Sequence, residues 1–250
     1  MFLGKNPRDT KVYADRGTSY PCTQAEIDVL QDGRAKRIRY RHYIDRVEAT
    51  RLLQQAHDGP LSDAQKAAVK RLNDLQEAQR WGPDTIFKIF HDLDLLLFRR
   101  KLKGNVYLRW DGHSKEMNGP NCGCIGMTTY GPSDDSRCEI RMSLTLSTLA
   151  TVGLRDVLST LVHEMVHAYL QVVTNGDEGD SDMHTAGHGN SFNRCARAVL
   201  KRLGPGFKDI IGCENLWQRR ETDPRWRSGF RFDGKKNVQP HGRRRYWGGR

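Results

Sequence analysis

The feature that most constrains the fold is residues 154–173, LRDVLSTLVHEMVHAYLQVV, in which apolar residues recur at the spacing of one helix face. These residues are Leu154, Val157, Leu158, Leu161, Val162, Met165, Tyr169 and Val172. His163 and His167 fall roughly opposite that face and lie one helical turn apart on the same side. Two imidazole nitrogens at this spacing can converge on one metal ion. The sequence therefore predicts a long helix that carries two ligands of a metal site.

Glu164 stands beside the two histidines, too far round the helix to share their ligand arc. This is the position of a general base for a metal-activated water, so HEMVH has the H-E-x-x-H arrangement typical of zinc peptidases. The alternative is a chance match on an amphipathic helix whose histidines are solvated. The apolar surroundings in LVHEMVHAYL favour the metal site, because buried imidazole and carboxyl groups need compensating partners.

A catalytic zinc needs a third protein ligand, and two histidines follow the helix in DMHTAGHGNSF. We favour His188, because the glycines on either side let the backbone bring its imidazole close to the ion. His184 is the alternative ligand or a group near the site, since motif spacing alone does not decide between them. A polar, Gly- and Asp-rich loop precedes both histidines and suits a chain that turns back towards the metal.

LVHEMVHAYL followed by GHGNSF resembles the SprT-like metalloproteases, and among them the DNA-dependent repair proteases of that family. The resemblance covers about residues 84–205, through IFHDLDLLLFRRKL, GNVYLRW, CGCIGMTTYG and CEIRMSLTL. The family pattern has the same residue types at Trp110, Cys124, Gly126, Tyr130, Cys138, Ile140, Arg141 and Ser143.

The resemblance implies an α+β, zincin-like domain in which a small sheet packs on the metal-binding helix. It implies one catalytic Zn²⁺ held by His163, His167 and His188, with Glu164 as the catalytic residue. In zincins the edge strand beside the metal pairs with the extended substrate backbone. By resemblance, the strand that begins at Cys138 is the candidate for that role. Alternating apolar residues predict strands around 106–110 and 140–144, and we expect a third, short strand near 127–130.

We divide the chain into four parts by pattern and composition. They are a flexible tail (1–22), a helical basic extension (23–80), the metalloprotease domain (84–212) and a basic aromatic C-terminal tail (213–250). The extension has a helix-like pattern from Gln24 to His57 with a break near Gly33. Ser62 and Asp84 are predicted to cap the two helices that follow.

The net charge of +11 indicates a polyanionic partner, most simply nucleic acid. Between Arg34 and Arg51 there are seven Lys or Arg against two Asp or Glu. We predict phosphate contacts from five of these residues: Arg34, Lys36, Arg37, Arg39 and Arg41. The alternative is a solvated helix face, which is what most runs of charge form.

The chain departs from the family pattern after about residue 205. The family usually has a second, cysteine-bearing zinc subdomain there; in this region the chain has only Cys213, so we expect that it does not form that subdomain. Residues 214–250 instead hold eleven Lys or Arg and four Asp or Glu, interleaved with aromatic rings, a composition that suits single-stranded nucleic acid. The predicted contacts are Arg225, Trp226, Arg227, Arg243, Arg244, Arg245 and Trp247. The alternative is a solubilising tail, or one whose tryptophans pack on the domain.

These features predict a monomeric, intracellular zinc endopeptidase that binds DNA with single-stranded regions, and the family resemblance implies that it acts in the nucleus. The family resemblance implies DNA-activated cleavage of proteins crosslinked to DNA. Two other functions remain open: a DNA-binding scaffold with a weakly active metal site, and a general intracellular zinc peptidase. No apolar run approaches the roughly 18–20 residues of a membrane span, so we expect no membrane partner.

Overall fold

The computed structural model describes residues 23–78, 84–112, 126–131, 135–143, 154–176 and 189–211. These residues form six helices and three strands: α1 (Gln24–Gln31), α2 (Arg46–Asp58), α3 (Asp63–Ala78), α4 (Thr85–Phe98), β1 (Val106–Asp111), β2 (Gly126–Thr129), β3 (Cys138–Ser143), α5 (Leu154–Thr174) and α6 (Asn190–Ile211). The mixed α+β composition agrees with the predicted fold class. Within this part of the chain, no helix combines the length and hydrophobicity needed to cross a lipid bilayer.

The described strands form one sheet in the order β1-β3-β2. β3 pairs in parallel with β1, placing Val106 opposite Cys138, and antiparallel with β2, placing Gly126 opposite Met142. All three predicted strands are therefore present. The expectation that the strand beginning at Cys138 is the edge strand was wrong, because β3 has a partner on each side. Among the described strands, β2 is the edge strand on the side of the sheet away from β1.

Helix α5 is the central element of the core. Every residue from Val157 to Thr174 is buried, so the helix is covered on the histidine side as well as on the predicted apolar face. Strands β2 and β3 and helices α2, α4 and α6 all pack against it. A helix with two histidines and a glutamate near its middle can lie in the interior only if these polar groups have partners.

Helix α4 buries the side chains that the apolar pattern selected: Ile86, Phe87, Ile89, Phe90, Leu93 and Leu97. The prediction that Asp84 caps this helix was wrong. Asp84 has helical backbone angles and makes no side-chain cap; its carboxylate pairs with Lys88 Nζ at 2.5 Å. The cap of α3 was predicted correctly, since Ser62 Oγ accepts from the Gln65 backbone N–H at 3.3 Å.

The helix-like pattern between Gln24 and His57 is broken by a much longer non-helical stretch than a single glycine would produce. Residues 32–45, which we call the strap, run between α1 and α2 without helical structure. Their backbone is hydrogen-bonded to distant elements: Arg37 N–H donates to Asp135 O at 2.9 Å and Ile44 N–H to Val173 O at 3.1 Å. These contacts satisfy backbone groups that a helix would otherwise pair, so tertiary contacts override the local pattern.

The position of the strap also explains why residue 104 is a glycine. Gly104, in the turn before β1, has a φ of +77°, and a Cβ there would lie 2.5 Å from Ile38 Cδ1 of the strap. A residue with a side chain would be strained in this backbone conformation and would also displace Ile38.

His57, near the end of α2, connects α6 to the core. The His57 ring lies with Nε2 2.7 Å from Leu97 O and Nδ1 2.9 Å from Ala198 O, joining the end of α4 to α6. Burial lowers the pKa of His57 even though the two carbonyls oppose that shift. Arg202 of α6 donates to Gly59 O at 2.6 Å, directly after α2. Contacts with α2 and with the end of α4 thus fix the position of α6.

Candidate metal centre

His163 and His167 meet on one side of α5. Their Nε2 atoms are 3.2 Å apart, and both side chains are buried. Two nitrogens that each lie about 2.0–2.1 Å from a tetrahedral zinc ion are about 3.3 Å apart. The observed separation therefore fits two ligands of one zinc ion, as the spacing of four residues predicts.

Phe192 of α6 packs on this pair. Its ring centroid lies 4.9 Å from that of His163 and 4.3 Å from that of His167, and the side chain is fully buried. The ring limits how far either imidazole can turn and keeps water from that side of the pair. In the sequence Phe192 is one apolar residue of a helix-like pattern, and nothing in that pattern distinguishes it from an ordinary core residue.

Glu164 lies in the same turn and is contacted from the sheet. Thr128 Oγ1 of β2 is 2.7 Å from Glu164 Oε2 and 3.0 Å from the Glu164 carbonyl oxygen. Only 3% of Glu164 is exposed, so its carboxylate depends on such protein partners rather than on bulk water. The arrangement combines two adjacent imidazoles with a hydrogen-bonded carboxylate, which are the parts of a site that can bind a metal and accept a proton from water.

The third predicted ligand, His188, and its alternative, His184, lie outside the described residues. The described chain resumes at residue 189, and the Asn193 N–H donates to Gly189 O at 3.0 Å in the first turn of α6. Across the described residues alone, no group of three or more His, Cys, Asp or Glu side chains is placed to hold a metal ion. The described part of the site thus contributes two imidazoles and a carboxylate.

Residues 86–209, just under half of the chain, match the model of the SprT-like family. The SprT-like segment contains α5 with both histidines and Glu164, all three strands, and most of α6. No curated protein and no solved structure matches the chain. The family match supports a metalloprotease-like domain, in agreement with the geometry of the histidine pair.

The predicted nucleic-acid residues of the strap have several protein partners. Lys36 Nζ lies 3.3 Å and Arg39 Nη2 2.5 Å from the carboxylate of Asp135, and these hydrogen bonds, Arg39 first, lower the pKa of Asp135. Arg37 donates to the Tyr130 hydroxyl and, at 2.6 Å, to Asn175 Oδ1. Arg34 and Arg41 are exposed. The strap is therefore held against the ends of β2 and α5, close to the metal-binding helix.

These contacts leave the cationic groups of the strap largely at the surface. The side chains of Lys36 and Arg39 are 79% and 61% exposed, and exposed ion pairs are weak enough to exchange partners. The predicted contacts of the C-terminal tail lie outside the described residues: Arg225, Trp226, Arg227, Arg243, Arg244, Arg245 and Trp247.

Proposed function

We propose that this protein is a zinc-dependent endopeptidase whose centre is formed by His163, His167 and His188, with Glu164 as general base. The observation that carries the proposal is the 3.2 Å separation of the His163 and His167 Nε2 atoms next to a buried carboxylate. The match of residues 86–209 to the SprT-like family supports the same chemistry. Zinc, when bound, lowers the pKa of a coordinated water and polarises the scissile carbonyl.

The protein side of this mechanism follows from the position of Glu164. Its carboxylate accepts the proton of the attacking water and passes it to the leaving amine of the substrate. The burial of Glu164 favours this role, because bulk water cannot compete for the hydrogen bonds of a carboxylate that is shielded from solvent.

Strand β2 is our candidate for binding the substrate backbone. It pairs with β3 on one side and is an edge strand within the described sheet. A peptide added antiparallel or parallel to an exposed edge gains main-chain hydrogen bonds along its length. Because Thr128 of the same strand contacts Glu164, a peptide on this edge would pass close to the general base.

We further propose that the substrates are proteins crosslinked to or tightly bound on DNA, that DNA activates cleavage, and that the protein acts in the nucleus. This finer proposal rests on the sequence resemblance to the DNA-dependent repair protease Spartan and on charge. The chain has a net charge of +11, and the exposed Lys36 and Arg39 lie on the strap beside β2. A cationic surface near the site would bring DNA-bound proteins to it.

The decisive experiment incubates the full-length, zinc-loaded protein with a DNA-binding protein substrate, with and without single-stranded DNA. We expect cleavage that depends on DNA, and a loss of about 10²–10⁴-fold in turnover in Glu164→Gln with zinc content unchanged. Salt-sensitive DNA binding without cleavage would instead indicate a scaffold. Cleavage that is indifferent to DNA would indicate a general peptidase. Loss of zinc in Glu164→Gln would show that Glu164 holds the metal.

A further inference from the structure

Strand β2 contacts Glu164 with two of its four residues, and both contacts are close. Thr128 Oγ1 lies 2.7 Å from Glu164 Oε2, within the range of a charge-assisted hydrogen bond. Two residues earlier, Gly126 lies against the same side chain: a Cβ there would be 2.8 Å from Glu164 Cγ and 3.0 Å from Oε1. Residues 126 and 128 face α5 together because strand side chains alternate.

The intervening residues of β2 face the other side of the sheet. Met127 Sδ accepts from Arg141 at 3.1 Å, and Thr129 Oγ1 lies 3.4 Å from Glu139 Oε2. Thr128 and Thr129 are therefore chemically identical neighbours on opposite faces, of which only Thr128 contacts Glu164. The register of β2 alone determines which hydroxyl meets the carboxylate.

We infer that Thr128 is a positioning residue that holds the carboxylate of Glu164 in the orientation required of a general base, with Gly126 supplying the space. This inference rests on the proposed peptidase function. A glutamate side chain has several rotatable bonds, and a base is effective only when its carboxylate is already aimed at the water. The Thr128 hydroxyl, 2.7 Å from Oε2, restricts the rotation of that carboxylate.

The test compares three variants of the full-length, zinc-loaded protein in the DNA-dependent cleavage assay. Thr128→Val removes the hydroxyl at constant shape, Thr128→Ser keeps it, and Thr50→Val is the control, because it removes a buried hydroxyl that donates to Arg46 O within α2, away from the sheet. We expect Thr128→Val to keep KM and its zinc while kcat falls about 10–100-fold, the usual effect of losing a group that orients the immediate surroundings of a metal. Thr128→Ser should recover most of the lost turnover, and Thr50→Val should resemble the wild type in turnover.

A second measurement needs neither zinc nor activity. In the metal-free protein, Thr128→Val should lower the urea midpoint of unfolding in the wild-type background but have a smaller effect when Glu164→Ala is already present. Additive effects would show that the two side chains do not interact and would overturn the inference. If Thr128→Val does not fold, Thr128→Ala removes the same hydroxyl without adding an apolar methyl in its place.

The two measurements separate failure of this inference from failure of the proposed function. If the wild type cleaves and Thr128→Val has the same kcat, Thr128 does not position the base, and the peptidase function stands. If the zinc-loaded wild type cleaves no substrate although the unfolding experiment shows coupling, the peptidase function fails. The positioning role then falls with it, and Thr128 is only a structural partner of Glu164.

Discussion

The hydroxyl of Tyr169 donates a hydrogen bond to the backbone carbonyl oxygen of Ala49, 3.0 Å away. Tyr169 lies in the SprT-like segment, on the helix that carries the histidine pair, whereas Ala49 lies in α2, before that segment begins. Both residues are buried, and burial raises the pKa of Tyr169. The helices that precede the SprT-like segment therefore take part in the core around the candidate metal centre.

The first prediction follows from this packing and concerns two neighbouring leucines of α2. Leu53 is 2% exposed and belongs to the core, whereas Leu52 is 40% exposed. Leu53→Ala should lower the free energy of unfolding by about 2–5 kcal/mol, because it leaves a cavity between helices. Leu52→Ala, the matched control, should change it by only about 0.5 kcal/mol. Urea unfolding measures both; equal effects would show that α2 does not belong to the core.

The second prediction concerns Asp94, near the end of α4. Burial raises the pKa of Asp94 from 3.8 to about 7, although its Oδ1 accepts from the Leu102 N–H at 3.1 Å. The folded protein therefore binds a proton at Asp94 more tightly than the unfolded chain does. The stability that this residue contributes is full below pH 3.8 and is lost as the pH rises through about 7.

We therefore expect Asp94→Asn, which cannot ionise, to gain stability relative to the wild type as the pH rises. Unfolding by urea at about pH 5 and about pH 8 measures the difference. Asp63→Asn is the control, because the Asp63 side chain is 98% exposed. A difference between Asp94→Asn and wild type that does not change with pH would contradict the prediction.

The third prediction separates His188 from His184. His188→Ala should abolish zinc retention, because two imidazoles alone cannot complete a zinc site. His184→Ala should weaken zinc affinity or activity by about 10–100-fold, as expected for a group beside the ligands. Metal content of the purified variants after dialysis decides between them, with circular dichroism to confirm folding. The reverse ranking would assign the third ligand to His184.

The fourth prediction concerns the basic aromatic tail. Deletion of residues 214–250 should weaken binding to single-stranded DNA and reduce its dependence on salt, by about 0.7 in the logarithmic slope for each phosphate that the protein no longer neutralises. Cleavage of a short peptide, if it proceeds without DNA, should persist because the histidine pair lies outside the deleted segment. An unchanged slope would direct the search to the strap, where Lys36→Ala and Arg39→Ala are the next variants. Unfolding of the truncated protein would show that the tail is structural.

The spacing of apolar residues predicted the helices and strands of this fold well, because it depends on which side of each element is buried. The apolar positions of α4 and the one-turn spacing of His163 and His167 both follow from helix geometry. The order of the strands in the sheet does not follow from the sequence pattern, because the alternation of apolar and polar residues gives the two faces of a strand and not its neighbours. We expected β3 at the edge of the sheet, and it lies in the middle. The contact of Thr128 with Glu164 depends on that order and was equally hidden from the sequence.

The strap shows a different limit of sequence reasoning. Its run of cations has a helix-like pattern, but Arg37 and Ile44 hydrogen-bond through their backbone to Asp135 and Val173, far along the chain. Cys138 and Cys195 are free, buried thiols, and Cys138 Sγ lies 3.0 Å from Gln171 Oε1 between β3 and α5. Only the tertiary structure shows that Gln171 is the partner of Cys138.

The contact between α2 and α5 has a consequence for synthesis of the protein. Tyr169 follows Ala49 by 120 residues, and Ala198 follows His57 by 141. At about 5–20 residues per second, the ribosome needs roughly 6–28 seconds to supply these partners after α2 has been made. During that interval the apolar side of α2 has neither α5 nor α6 to cover it. A nascent chain halted before residue 154 should therefore bind chaperones that recognise exposed apolar segments, and one extended beyond α6 should release them.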